Sequence, residues 1–153
     1  MERFLWSALS GQQKGTFAEY FVKMELTMHG FEVYGTEVDD RGIDFIARKS
    51  GGPFFELQVK SAQKTNYVFM TKEKFPLTKW RYLALAVLED HKPPQLYLIP
   101  SMAWQEPNNF LVSRDYDVNR KSKPEWGLSL AKCYKMQLDA YAFERTLELL
   151  MSR

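Results

Sequence analysis

Between residues 42 and 61 apolar and polar positions alternate with the period of a β-strand, interrupted once by turn residues. Ile43 to Lys49 and Phe54 to Ser61 are rich in β-branched and aromatic side chains. Ser50-Gly51-Gly52-Pro53 between them tolerates positive φ or fixes it near the proline value. The pattern predicts two antiparallel neighbouring strands. On the second, Phe55, Leu57 and Val59 would face a core, while Glu56, Gln58 and Lys60 would share the other face at intervals of roughly 7 Å. A strand with one wet face gives the same alternation without any site.

Upstream, Thr16 to Leu26 has apolar residues at 17, 18, 21, 22, 24 and 26, which suits a helix with a broad buried face, Thr16 as its N-cap and His29-Gly30 as its stop. Glu19 falls at or beside the inner face, where a carboxylate needs a partner. Downstream, residues 66–70 read as a short strand and Thr71 to Phe75 as the beginning of a helical turn. Arg81 to Leu88 is a nearly continuous apolar run, as expected of a central strand buried on both faces, with Gln95 to Ile99 as its partner. Ser101 would cap a short helix through Trp104. Glu106 to Trp126 reads as an irregular loop able to close over a substrate, with Phe110 and Trp126 pinning it to the core. Leu138 to Met151 predicts a closing helix packed on the sheet. Nothing divides the chain, so 1–153 is expected to form one α/β domain, a mixed sheet with helices on its faces.

Three motifs occur in a fixed order: Gly15-Thr16-Phe17-Ala18-Glu19 on the helix, Gly42-Ile43-Asp44 at the first strand, and Gln58-Val59-Lys60-Ser61 on the second. Each alone is common, but the ordered set is more specific. Together they resemble the PD-(D/E)xK nuclease superfamily, in particular its Gln-x-Lys branch of small domains similar to restriction endonuclease-like and Holliday-junction resolvase-like proteins. Most familiar members carry Asp or Glu where this chain has Gln58, whereas that branch has Gln. The resemblance implies a restriction-endonuclease-like mixed β-sheet flanked by helices and a catalytic set of Glu19, Asp44, Gln58 and Lys60. Glu19, Asp44 and Gln58 would ligate Mg²⁺ or Mn²⁺, so Glu19 and Asp44 are expected to share one cation site. Ser61 is an accompanying residue, and Glu56 is either an auxiliary carboxylate or an ordinary solvated strand residue.

The chemistry accounts for these residue types. Phosphodiester hydrolysis needs cations to neutralise phosphate charge and to lower the pKa of an attacking water, and oxygen ligands hold such cations. The main-chain carbonyl of Leu57 or Val59 would complete the set. Lys60 would stabilise negative charge developing at the phosphate.

Charge sharpens the picture. Residues 1–60 carry 7 basic and 9 acidic residues, and residues 61–153 carry 14 and 10. An acidic motif half beside a basic remainder suits a cation site flanked by a phosphate-attracting surface. The candidate DNA contacts are Lys64, Lys72, Lys74, Lys79, Arg81, Arg114, Arg120, Lys121 and Lys123. With 45% hydrophobic residues the composition is ordinary for a globular chain. There is no membrane-length apolar run and no signal-peptide pattern at Met1-Glu2-Arg3-Phe4-Leu5-Trp6, and the lone Cys133 permits no intrachain disulfide; a cytoplasmic location is the expectation. Two histidines exclude a histidine-rich metal centre, and no phosphate loop, Cys-x-x-Cys pair or Gly-x-Ser-x-Gly elbow is present. The expected function is a metal-dependent DNA endonuclease, with a homodimer as the simplest way to cut two strands. The alternative is a catalytically inactive nucleic-acid-binding or protein-interaction module on the same fold.

Overall fold

A computed structural model describes residues 2–38 and 41–152. Its first helix starts further upstream than the apolar periodicity predicts. Helix α1 spans Gly11–Met28 because Ser10, not Thr16, is the N-cap. Ser10 Oγ accepts from Gln13 N–H at 3.1 Å and Gln13 Oε1 accepts from Ser10 N–H at 2.9 Å, so two orphan donors are satisfied reciprocally. The helix stops at His29, and Gly30 follows with φ +85.

Strands β1 (Phe31–Gly35), β2 (Phe45–Lys49), β3 (Phe55–Ala62), β5 (Arg81–Val87) and β6 (Gln95–Pro100) form a five-stranded mixed sheet ordered β1-β2-β3-β5-β6. The expected β2–β3 hairpin is present, with Ser50 and Gly51 both at positive φ in its turn. Only β3 and β5 are parallel. Their crossover carries β4 (Tyr67–Thr71), which leaves this sheet and joins β8 (Glu125–Ser129) and β7 (Leu111–Arg114) in a second one ordered β4-β8-β7.

Strand β5 is buried along its length because it faces two cores. Tyr82 and Ala84 pack with Leu57 and Phe45 against Val22 and Leu26 of α1 and against Phe143 and Leu147 of α3 (Phe143–Met151). Leu83 and Leu85 face the other way, against Val68, Met70, Leu111 and Leu128 of the second sheet and Leu138 of the short helix α2 (Lys135–Asp139). The central sheet is thus flanked by helices on one side and by the small sheet with α2 on the other.

Three further sequence expectations are corrected. Thr71 ends β4, and residues 72–75 form turns and no helix. The region expected to be an irregular loop contributes β7 and the start of β8, launched by Asn108, whose Oδ1 accepts from the N–H groups of Phe110 and Leu111 at 2.8 and 2.7 Å. Phe110 is buried there as expected. The closing helix is split, because Ala142 is extended and bridges Tyr97 while Tyr141 C=O accepts from Leu98 N–H at 2.9 Å; edge pairing with β6 outcompetes continued helix.

Candidate active site

Strand β3 outruns its neighbour. Pairing with β2 covers residues 55–57, whereas pairing with β5 continues to Ala62, so beyond Leu57 one edge of β3 has no strand beside it. Asp44 fills the first position of that gap. Its N–H donates to Leu57 C=O at 2.9 Å, and its Oδ2 accepts from Val59 N–H at 2.6 Å. A carboxylate has replaced the backbone acceptor that the next β2 residue would supply. The N–H and C=O of one strand residue point to the same side, so the Val59 carbonyl faces this edge too. Leu57 C=O already receives Asp44, which favours Val59 as the carbonyl donor.

Gln58 pairs with Leu83 and Lys60 with Leu85, so both side chains point toward the core beneath the second sheet. The expected division of β3 into two faces holds, but Gln58's face is partly covered, its residues Glu56, Gln58 and Lys60 being half-buried. The Gln58 Oε1 is buried and has no hydrogen-bond partner among the described residues. Lys60 is half-buried and has no carboxylate within ion-pair distance among the described residues.

Glu19 comes from the helix layer. Ala18 before it belongs to a buried cluster that Val59 packs against, and Val22 one turn on shares a cluster with Phe45, so α1 covers this face of the sheet and Glu19 lies beside its buried row. It is half-exposed and lies 3.9 Å from Lys23, whose ammonium is 5.3 Å above the Phe45 ring. The structure therefore brings Asp44 onto Val59, which lies between Gln58 and Lys60 on β3, and sets Glu19 in the helix layer on the face opposite those two side chains. Ser61 follows on β3, half-buried.

Glu56 is engaged elsewhere. Its Oε2 accepts from Arg81 Nε at 2.8 Å, and Arg81 Nη1 donates to Lys74 C=O at 2.7 Å. Arg81 is only 3% exposed, so it is no surface phosphate contact; it ties β5 to β3 and to the preceding turn. Gly42, at φ +73, is required here: a Cβ would lie 2.5 Å from Lys74 C=O. That close approach holds the Asp44 loop against the same turn. Gly15 has no such need, since a Cβ there would meet nothing within 4 Å.

The other basic candidates differ in what already holds them. Lys72 bonds Ser113 Oγ at 2.7 Å and Asp115 Oδ1 at 2.9 Å and lies 4.1 Å from the Trp126 ring centroid. Lys123 pairs with Glu73 at 3.1 Å, Arg114 lies over the Tyr67 ring and Lys79 over Trp80. Lys64, Lys74, Arg120 and Lys121 are exposed.

The donors around Asp44 are all oxygens, a set that suits a hard divalent cation. Among the described residues no three of His, Cys, Asp and Glu are grouped to hold a metal ion. Glu19, Asp44 and Gln58 include only two such residues, and the orphaned Gln58 oxygen is the feature that fits an added cation.

No protein-family model matches the chain, and no curated protein matches it. Solved structures do. The Holliday junction resolvase Hjc of Archaeoglobus fulgidus superposes with a TM-score of 0.51 at 17% identity, over 76% of this chain and 84% of that one. The bacterial homing endonuclease I-Ssp6803I superposes with a TM-score of 0.56 at 18% identity, over 94% of this chain and 92% of that one. The likeness is one of fold, a mixed α/β architecture with a central sheet flanked by helices. No helix among the described residues is long and apolar enough to cross a membrane.

Proposed function

We propose that this chain is a Mg²⁺- or Mn²⁺-dependent endonuclease that hydrolyses DNA phosphodiester bonds at the open edge of β3. The observation that carries the reading is the buried, unpartnered Gln58 Oε1 on the residue next to Val59, whose N–H holds Asp44. Leaving an acceptor so costs about 1–3 kcal/mol, and a cation shared with a carboxylate would offset that cost. The proposed ligands are Asp44, the Gln58 amide oxygen and the Val59 carbonyl; Glu19, expected from the sequence to join them, stands in the helix layer on the other face of the sheet from Gln58 and is not among them. Glu56 is left out, because Arg81 already neutralises it. The two resolvase and endonuclease folds support the same reading.

A bound cation would lower the pKa of an attacking water and neutralise phosphate charge. The chain's own groups do the rest. Val59 N–H fixes the orientation of the Asp44 carboxylate, and Gly42 against Lys74 fixes the loop that carries it. Lys60 places a positive charge on the Gln58 side of β3 for the charge developing on the phosphate. Exposed Lys64, Lys74, Arg120 and Lys121 supply phosphate attraction, and a second copy about a two-fold axis would address the second strand.

Calorimetric titration with Mn²⁺, paired with cleavage of plasmid, single-stranded and four-way-junction DNA in Mg²⁺, Mn²⁺ and chelator, tests the proposal. Wild type is expected to bind one site's worth of cation and to cut, and Asp44→Ala to do neither while remaining folded. Cation affinity unchanged in Asp44→Ala would move the site elsewhere. DNA binding without cleavage in any metal would leave an inactive binding module, consistent with the neutral ligand at Gln58.

A further inference from the structure

The second sheet has an outer face that the cation site does not use. Alternation along β4 sends Val68 and Met70 into the core and leaves Tyr67 and Phe69 outside. Phe69 is 49% exposed. The two rings are nearly parallel, 20° apart in plane with centroids at 6.3 Å. Gly127 of β8 lies opposite Phe69 and has no side chain to raise the surface; a Cβ there would be 1.9 Å from Tyr67 Oη, so the Tyr67 ring lies across it. Tyr67 O–H donates to Glu125 Oε2 at 2.6 Å, and Tyr116 O–H donates to Glu125 Oε1 at 2.9 Å. Burial and then the Glu125 hydrogen bond push the Tyr67 phenol upward, so it stays a neutral donor. Arg114 completes the row with its guanidinium 4.4 Å from the Tyr67 ring centroid.

We infer that this face, Phe69-Tyr67-Arg114 over Gly127, is a stacking platform for the unpaired bases of a single-stranded DNA segment. The exposed Phe69 ring and, beside it, the Arg114 guanidinium lying over the half-buried Tyr67 ring present two neighbouring π surfaces to which any base can stack. Charge selects the same occupant. Glu125 is 7% exposed and bonded by two phenols, Arg114 is exposed opposite it with Tyr116 as its hydrogen-bond partner, and in the loop between β7 and β8 Arg120 and Lys121 are exposed cations with no ion-pair partner among the described residues. A polyanion carrying aromatic bases satisfies both halves of the surface. This inference rests on the nucleic-acid reading above and narrows it to DNA with a frayed, looped or branched single strand.

The test measures binding of oligo(dT) of about a dozen nucleotides, a length within the usual span of such platforms, against a blunt duplex. Phe69→Thr removes the ring while keeping a residue suited to an exposed strand. The ratio of single-strand to duplex affinity is expected to fall about tenfold or more, in line with the loss of one stacked base, and Phe69→Trp to restore it. Equal ratios in wild type and Phe69→Thr, with the melting temperature preserved, overturn the platform even if plasmid is cut in Mg²⁺. A Phe69-dependent dimer in sedimentation that excludes oligo(dT) overturns it in favour of a protein interface. Phe69-dependent oligo(dT) binding without cleavage in any metal supports the platform, and it is then the endonuclease reading that fails.

Discussion

Gln58 sets two residue-scale demands against each other. Without a cation its amide oxygen is a desolvated acceptor with no donor, and the same oxygen is the proposed neutral ligand beside Asp44. Gln58→Leu is therefore expected to raise the melting temperature in chelator, since an apolar group of similar volume removes an unsatisfied polar atom. It should also abolish the stabilisation that Mn²⁺ confers on wild type by binding only the folded state. Gln58→Glu should do the reverse, losing stability in chelator and tightening Mn²⁺ binding. Thermal melts with and without Mn²⁺ check both, and a wild type indifferent to Mn²⁺ would remove the cation site. Lys60→Ala is expected to lower cleavage by at least about a hundredfold with folding intact, the usual size of losing one preorganised charge at a developing oxyanion. Single-turnover assays read that loss, and a change of only a few-fold would give Lys60 a merely structural part.

At the scale of elements, the small sheet depends on one glycine. Gly127→Ala must push Tyr67 aside, because the new Cβ would overlap the phenol, and the displaced hydroxyl leaves Glu125 with one donor fewer at a buried position. A loss of about 1–3 kcal/mol is expected in denaturant unfolding, and an unaltered midpoint would show that the ring has other room. This glycine's role was illegible in the sequence, since it emerges only when β4 and β8 pair. What was legible had strong local causes. The β2–β3 hairpin announced itself by alternation and a Ser-Gly-Gly-Pro turn, β5 by its unbroken apolar run, and the meeting of Asp44 with β3 by motif order. What failed locally was decided by distant partners. The real helix cap lay at Ser10 beyond the apolar stripe, the closing helix was cut by edge pairing with β6, and β7 and β8 were hidden among turn residues because each is short. Arg81 read as a surface cation, yet Glu56 and the Lys74 carbonyl draw it inside.

For the whole molecule, the start of the chain is fastened to the β5–β6 connection. Asp90 Oδ1 accepts from Ser7 N–H at 2.9 Å and Gln63 Nε2 at 3.1 Å, Phe4 C=O accepts from His91 N–H, and Trp6 Nε1 donates to Lys92 C=O at 3.0 Å. The hydrogen bonds from Ser7 hold the Asp90 carboxyl below its ordinary range. A depressed folded pKa gives stabilisation that is present above the unfolded carboxylate value and disappears as pH falls through the folded one. The melting temperatures of wild type and Asp90→Asn should accordingly differ near neutrality and converge in acid. A gap independent of pH would place the effect in packing. Assembly of the small sheet carries a different consequence, in time. Strand β7 meets β8 across a local connection, but β4 pairs Tyr67 with Ser129 and Thr71 with Glu125, so its partner arrives only after β5, β6 and β7 have been made. Closing so long a loop is entropically slow. Pulse-labelled amide exchange during refolding should find β2, β3 and β5 protected early and β4 last, so a nascent chain holds Asp44 against Val59 while the sheet that buries Gln58's side is still open.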